Sequence, residues 1–227
     1  MTTRFEHLHQ RLSDPILTLL TLMLSFLLFV IGPMQTAGVI TGNHFGYFFG
    51  LVLVPAAFLY SRNLFAAGPI GVAIALVVAT ALLDVQRFSR IDLYLDSAAW
   101  LIAGLALSVV VARAVFGSGR VTYHRVVGAV LLYLIIGLVF VALFGFVALS
   151  IPDAFTNLAT LEGDFAVAGN LIYFSFVTLT TTGYGDIAPV HPYARSLANV
   201  EAIIGQIYPA TLLARLVTLE LAAESAK

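Results

Sequence analysis

Apolar runs close to the length of a bilayer crossing recur along this chain, and they decide the fold class before any motif is considered. A helix needs roughly 20 residues to cross the hydrocarbon core. Six stretches come near that length: Pro15 to about Ile31, Phe45 to Tyr60, about Leu64 to Leu83, Ser97 to Val115, Val126 to Leu149, and Ala194 to about Leu221. Inside a bilayer no water satisfies backbone N–H and C=O groups, so each run is expected to be a helix. The predicted fold is therefore an all-α integral membrane protein with six transmembrane helices. Composition agrees, since 60% of the 227 residues are hydrophobic and only 10% are charged, against about 25% charged in a soluble domain.

Other classes fall away quickly. A net charge of −1 gives no electrostatic case for nucleic acid, and the lack of cysteine excludes structural disulfides and thiolate metal sites. No glycine-rich phosphate loop, metal-spaced cluster or histidine-centred triad is present, so an enzyme is not expected, nor any cofactor. His44, His124 and His191 stand apart in sequence and read as loop or interface residues. Ser13 or Asp14 can cap a helix beginning at Pro15, which suits a first helical turn. No small-x-small cleavage site precedes Gly32-Pro33, so the first run reads as a retained span that stops there. Pro55 and Pro69 fall within or near later spans, where neighbouring helices can satisfy the freed carbonyls.

Basic residues set the orientation. With both termini cytoplasmic, Arg4, Arg11, Arg62, Arg113, Arg120, Arg125, Arg215 and Lys227 share the inner side. Arg87, Arg90 and Arg195 are then outside, an eight-to-three split that favours this arrangement in a cell membrane. The acidic residues Asp84, Asp92, Asp96, Asp153, Glu162, Asp164 and Asp186 would lie outside, where some could concentrate cations at the outer mouth, though all but Asp186 read more simply as solvated loop charges.

Between the last two spans lies Thr180-Thr181-Thr182-Gly183-Tyr184-Gly185-Asp186. A dehydrated cation needs protein oxygens in place of its water shell. A short strand whose carbonyls all face one axis supplies them if some residues adopt dihedrals closed to ordinary side chains. Gly183 and Gly185 supply that freedom, the Thr181 hydroxyl adds an oxygen at the inner end, and Tyr184 is expected to pack outward. Asn170 to Thr180 is too short to cross a membrane and reads as a re-entrant helix, whose C-terminal partial charge favours a cation.

Thr181 to Gly185 resembles the potassium channel signature Thr-Val-Gly-Tyr-Gly, with Thr182 at the valine position. The resemblance covers about Val126 to Leu221 and implies potassium bound at Thr181, Thr182, Gly183 and Tyr184 as permeant ion. Four re-entrant helices would surround one filter, and the motif occurs once, so the resemblance implies a homotetramer in membrane lipid. A cation transporter with four pore loops in one chain is excluded by that single copy. Tyr173 and Phe174 resemble the family's aromatic cuff around the filter, with ordinary core aromatics as the plainer reading. Thr178 and Thr180 could bond around the filter or back onto their own helix. Val177 occupies the position where some members carry a glutamate that pairs with the filter aspartate, so Asp186 would lack that partner and Tyr173 would reach it instead. Gly205 falls where the family places its inner-helix glycine. Pro209 removes the donor for the Gly205 carbonyl, so a hinge at Gly205–Pro209 is expected. Glu201, the carboxylate within the last span, is expected to hydrogen-bond the re-entrant helix.

Six spans with the pore last resemble the voltage-gated cation channel plan, but the sensor does not. The fourth span has no arginine before Arg113, at its inner end, and Leu93 and Asp96 break the spacing begun by Arg87 and Arg90. Strong voltage dependence, which takes roughly three or four gating charges per subunit, is not expected. The expected division is a cytoplasmic segment 1–14, a sensor-like membrane domain 15–120 and a pore domain 121–227. No cytoplasmic nucleotide- or calcium-binding domain is expected after Leu221. A weakly selective cation channel, a non-conducting channel-modifying subunit and a polytopic membrane enzyme are the other readings weighed.

Overall fold

The computed structural model describes residues 15–40, 90–116, 123–158 and 166–225. The predicted second and third spans and the segment 1–14 lie outside these ranges. The described chain is mostly helical. Its long helices are α1 (Pro15–Thr36), α2 (Arg90–Phe116), α3 (Tyr123–Ser150) and α5 (Pro192–Ser225), with the shorter α4 (Ala166–Leu179) between α3 and α5. Four helices among the described residues are long and apolar enough to cross a membrane, one each within α1, α2, α3 and α5.

The first span does not stop at Gly32-Pro33. Leu27–Ile31 forms a π turn in which the Gly32 N–H reaches the Leu27 carbonyl, and helix then continues to Thr36. The register shift brings Pro33 into the first turn of the segment beyond, where its missing N–H costs no hydrogen bond.

Small residues set the helix contacts. Ser97 meets Gly145, Gly104 meets Val139, and Val115 meets Gly128, so α2 and α3 pack antiparallel along their length. With no hydrophobic force between helices in lipid, such close backbone approach is what holds them. The start of α1 joins the same end of α3, where Leu17 lies against Gly128. There Thr18 Oγ1 is 2.8 Å from His124 Nδ1, and the Thr21 hydroxyl, which donates to the Leu17 carbonyl of its own helix at 2.8 Å, lies 3.3 Å from the Val127 carbonyl. His124 is thus an interface residue. Farther along α1, Phe29 packs edge-on against Phe176 of α4 at 5.8 Å, and Thr36 presses on Gly169.

Among the described residues a small two-stranded sheet accompanies the helices. β1 (Phe155–Thr156) pairs antiparallel with β2 (Ala188–Pro189), Phe155 opposite Pro189 and Thr156 opposite Ala188. The Val190 N–H donates to the Ala154 carbonyl at 2.8 Å, extending the pairing by one residue. This ties the segment after α3 to the segment that leads into α5. Beneath it Phe144, Phe155 and Phe174 form a buried aromatic cluster, with Phe144 and Phe174 centroids 4.9 Å apart.

Candidate functional site: the strand after the short helix

α4 is a 14-residue helix held from three sides. On its buried face Ser175 Oγ is 2.9 Å from the Gly137 carbonyl of α3 and 2.5 Å from Glu201 Oε1 of α5. Glu201 is fully buried, and its Oε2 has no partner among the described residues. At the C-terminal end of α4 the Tyr133 hydroxyl donates to the Leu179 carbonyl at 3.1 Å. Tyr133 stacks on Tyr208, whose hydroxyl donates to the Ala129 carbonyl. Gly205 passes so close to the Leu179 carbonyl that an added Cβ would overlap it. Gly205 is therefore a close-approach glycine, and α5 runs unbroken through Pro209.

The end of α4 creates the strand. The Thr182 N–H bonds the Val177 carbonyl and the Thr181 N–H bonds the Thr178 carbonyl, both at 2.9 Å. These are the two bonds of a Schellman motif, which requires a left-handed residue just past the helix and normally finds glycine there. Here that residue is Thr181, with φ +55°. A β-branched residue in this region stores of order 1–3 kcal/mol of strain and persists only where its surroundings impose it. The imposed pattern continues, with Gly183 at +60° and Gly185 at +79°. Thr182 and Tyr184 do not share it, so backbone sign alternates residue by residue. Such alternation turns successive peptide planes the same way, gathering N–H groups on one face and carbonyl oxygens on the other. Dihedral freedom was expected of the two glycines, and Thr181 is a third left-handed position that its residue type hides.

Side chains brace both ends. The Thr180 hydroxyl lies 2.6 Å from the Phe176 carbonyl and 2.8 Å from Thr182 Oγ1, so it bonds both its own helix and the strand. At the inner end, the Gln206 amide donates to the Thr181 hydroxyl at 2.8 Å. At the outer end, the Asn157 amide donates to the Asp186 carbonyl at 2.8 Å, and the Tyr173 phenol lies near the Asp186 side chain. Tyr173 also lies parallel to Tyr184, with centroids 6.4 Å apart. Phe174 faces the other way, into the Phe144–Phe155 cluster. Residues 180–186 are exposed in the single chain, which leaves the strand from Thr181 to Gly185 accessible to ions or to further subunits.

Sequence reasoning passed over Tyr133, Ser175, Gln206 and Asn157. Ser175 and Tyr133 are polar residues inside apolar helices, a signal that was there to be read. Gln206 and Asn157 carry no such mark. Among the described residues no group of three or more His, Cys, Asp or Glu could hold a metal ion.

Residues 128–220, from early in α3 through the strand and most of α5, match the family described as Ion channel. This segment is an ion-channel domain. Every brace just described, apart from the contacts of α1, lies within it. The match supports a channel function for this segment, and the long apolar helices support a place in a membrane. No curated protein and no solved structure matches the chain.

Proposed function

We propose that this chain is one subunit of a homotetrameric, potassium-selective channel, with Thr181 to Gly185 as its selectivity filter. The observation that carries the reading is the alternation of left-handed backbone at Thr181, Gly183 and Gly185. It aligns carbonyls on one face of a strand anchored to a short helix, as a carbonyl filter requires. Potassium, the permeant ion and the sole ligand invoked, binds at Thr181, Thr182, Gly183 and Tyr184. One strand offers one quarter of a coordination shell, so four copies meet at an axis. Val200, Ile203, Ile207, Leu213 and Val217 of α5 are large apolar residues exposed in the single chain, and the neighbouring subunits and lipid cover them.

In this reading residues 121–227 form the pore domain and 15–120 a sensor-like domain. The chain sits in the cell membrane with both termini cytoplasmic, and conduction depends little on voltage. Tyr173, Asp186 and Glu201 support the filter, Phe174 supports it through the core beneath, and Gly205–Pro209 is where the inner helix bends on gating. The test is flux through purified protein in liposomes. Potassium flux that excludes sodium and is blocked by barium, an ion of potassium's size, is expected. Equal sodium and potassium flux would favour the weakly selective channel. A tetramer that passes no ion under any condition would favour a channel-modifying subunit.

A further inference from the structure

The Thr181 hydroxyl is held by a partner that lies neither in its own helix nor in the filter. Its neighbour Thr180 shows the alternative, since that hydroxyl turns back to the Phe176 carbonyl of α4. Thr181 instead accepts a hydrogen bond from the Gln206 side-chain amide of α5 at 2.8 Å. A hydroxyl has two lone pairs and one proton, so this bond occupies one lone pair and confines the other lone pair and the proton to the two remaining positions. The position of Gln206 is itself fixed. It follows Gly205, the residue whose missing side chain lets α5 rest on the Leu179 carbonyl. Both Gln206 and Thr181 are exposed in the single chain, which makes the bond a poor contributor to stability and leaves the hydroxyl open to a ligand.

We infer that Gln206 is a positioning residue for the innermost cation site, holding the Thr181 hydroxyl as an ion ligand and thereby setting that site's affinity for potassium-sized cations. The inference rests on the filter reading above. Gln206 touches no ion. It acts through Thr181, and its bond adds to the Gly205–Leu179 contact that seats the inner helix on the end of α4.

The experiment is calorimetric titration of barium and potassium into the purified full chain, which reads ion binding without requiring an open pore. Gln206→Met keeps length and removes the donor, and Gln206→Asn keeps the donor but falls short of Thr181. Each is expected to weaken barium binding about tenfold, the effect of losing roughly one hydrogen bond at a ligand, while the melting temperature without added ion stays near wild type. Thr181→Val removes the hydroxyl at constant shape, and adding Gln206→Met to it is expected to cost nothing more. Unchanged barium affinity in both Gln206 variants, or fully additive losses in the double variant, would overturn the inference while the filter reading stands. No barium or potassium binding by the wild-type chain would overturn the filter reading and the inference with it.

Discussion

Ser175 Oγ lies 2.5 Å from Glu201 Oε1 and 2.9 Å from the Gly137 carbonyl, so one hydroxyl joins α4, α5 and α3 in a site closed to solvent. Removing a single member of such a set leaves the others buried and unpaired, which costs about 1–3 kcal/mol. Ser175→Ala is therefore expected to lower unfolding stability by that amount, whereas Glu201→Gln, which keeps shape and hydrogen-bonding capacity, loses less. Chemical unfolding in detergent checks the order. Equal stability of Ser175→Ala and wild type would show that the three helices are not held here.

Gly205 and Gly183 are both glycines, but they fail differently when substituted. A Cβ at Gly205 collides with the Leu179 carbonyl, a backbone atom that cannot step aside. Gly205→Ala should push α5 off α4 and destabilise the chain by about 1–3 kcal/mol, as overpacking does. Pro209→Ala touches no such contact and is expected to leave stability within about 1 kcal/mol. If Gly205→Ala melts with wild type, the glycine serves flexibility and the close approach is incidental.

At Gly183 nothing lies within 4 Å of an added Cβ, so space is not what requires glycine. The requirement is φ +60°, a region that costs an ordinary L-residue about 1–2 kcal/mol. Gly183→Asp is expected to leave the helical fold intact by circular dichroism and to abolish potassium-selective flux. Unchanged potassium flux in this variant would sink the filter assignment.

The outer end of the filter hangs on the Asn157 amide, which donates to the Asp186 carbonyl. Asn157→Ala removes about one exposed hydrogen bond, worth roughly 0.5–1.5 kcal/mol, and is expected to loosen the filter locally without unfolding the domain. Hydrogen exchange at residues 184–187 should rise while protection in α3 stays as it was. Unaltered exchange at the filter would show that Tyr173 and the β1–β2 pairing suffice.

A further tie joins α5 to α2. Arg215 donates to the Phe116 carbonyl at 3.1 Å and lies over the Phe116 ring, 4.7 Å from its centroid. Such a cation at a helix C-terminus contributes about 0.3–1 kcal/mol. Arg215→Gln should reduce stability by no more than about 1 kcal/mol, and a larger loss on thermal melting would mean that this contact organises the whole helix bundle.

What the sequence determined by itself is local in origin. Hydrocarbon cannot satisfy a peptide group, so long apolar runs become helices; α3 and α5 keep within about four residues of the expected limits, whereas α2 ends as expected but begins seven residues earlier, at Arg90. Glycine alone is free at positive φ, so residue type pointed to the backbone at Gly183 and Gly185. The spans expected at Phe45–Tyr60 and Leu64–Leu83 lie outside the described residues. What tertiary structure decided involves residues far apart in the chain. The left-handed Thr181 arises from the termination of α4, against the preference of its own β-branched side chain. Gly205 looked like a flexible point, and its nearest neighbour is a carbonyl 26 positions earlier. Gln206, Asn157 and Tyr133 acquired their partners only when α5, the segment after α3 and α3 itself packed around that short helix. A hydrogen bond needs two groups within about 3 Å, and no periodicity in one dimension says which distant pair the packing of helices will bring that close.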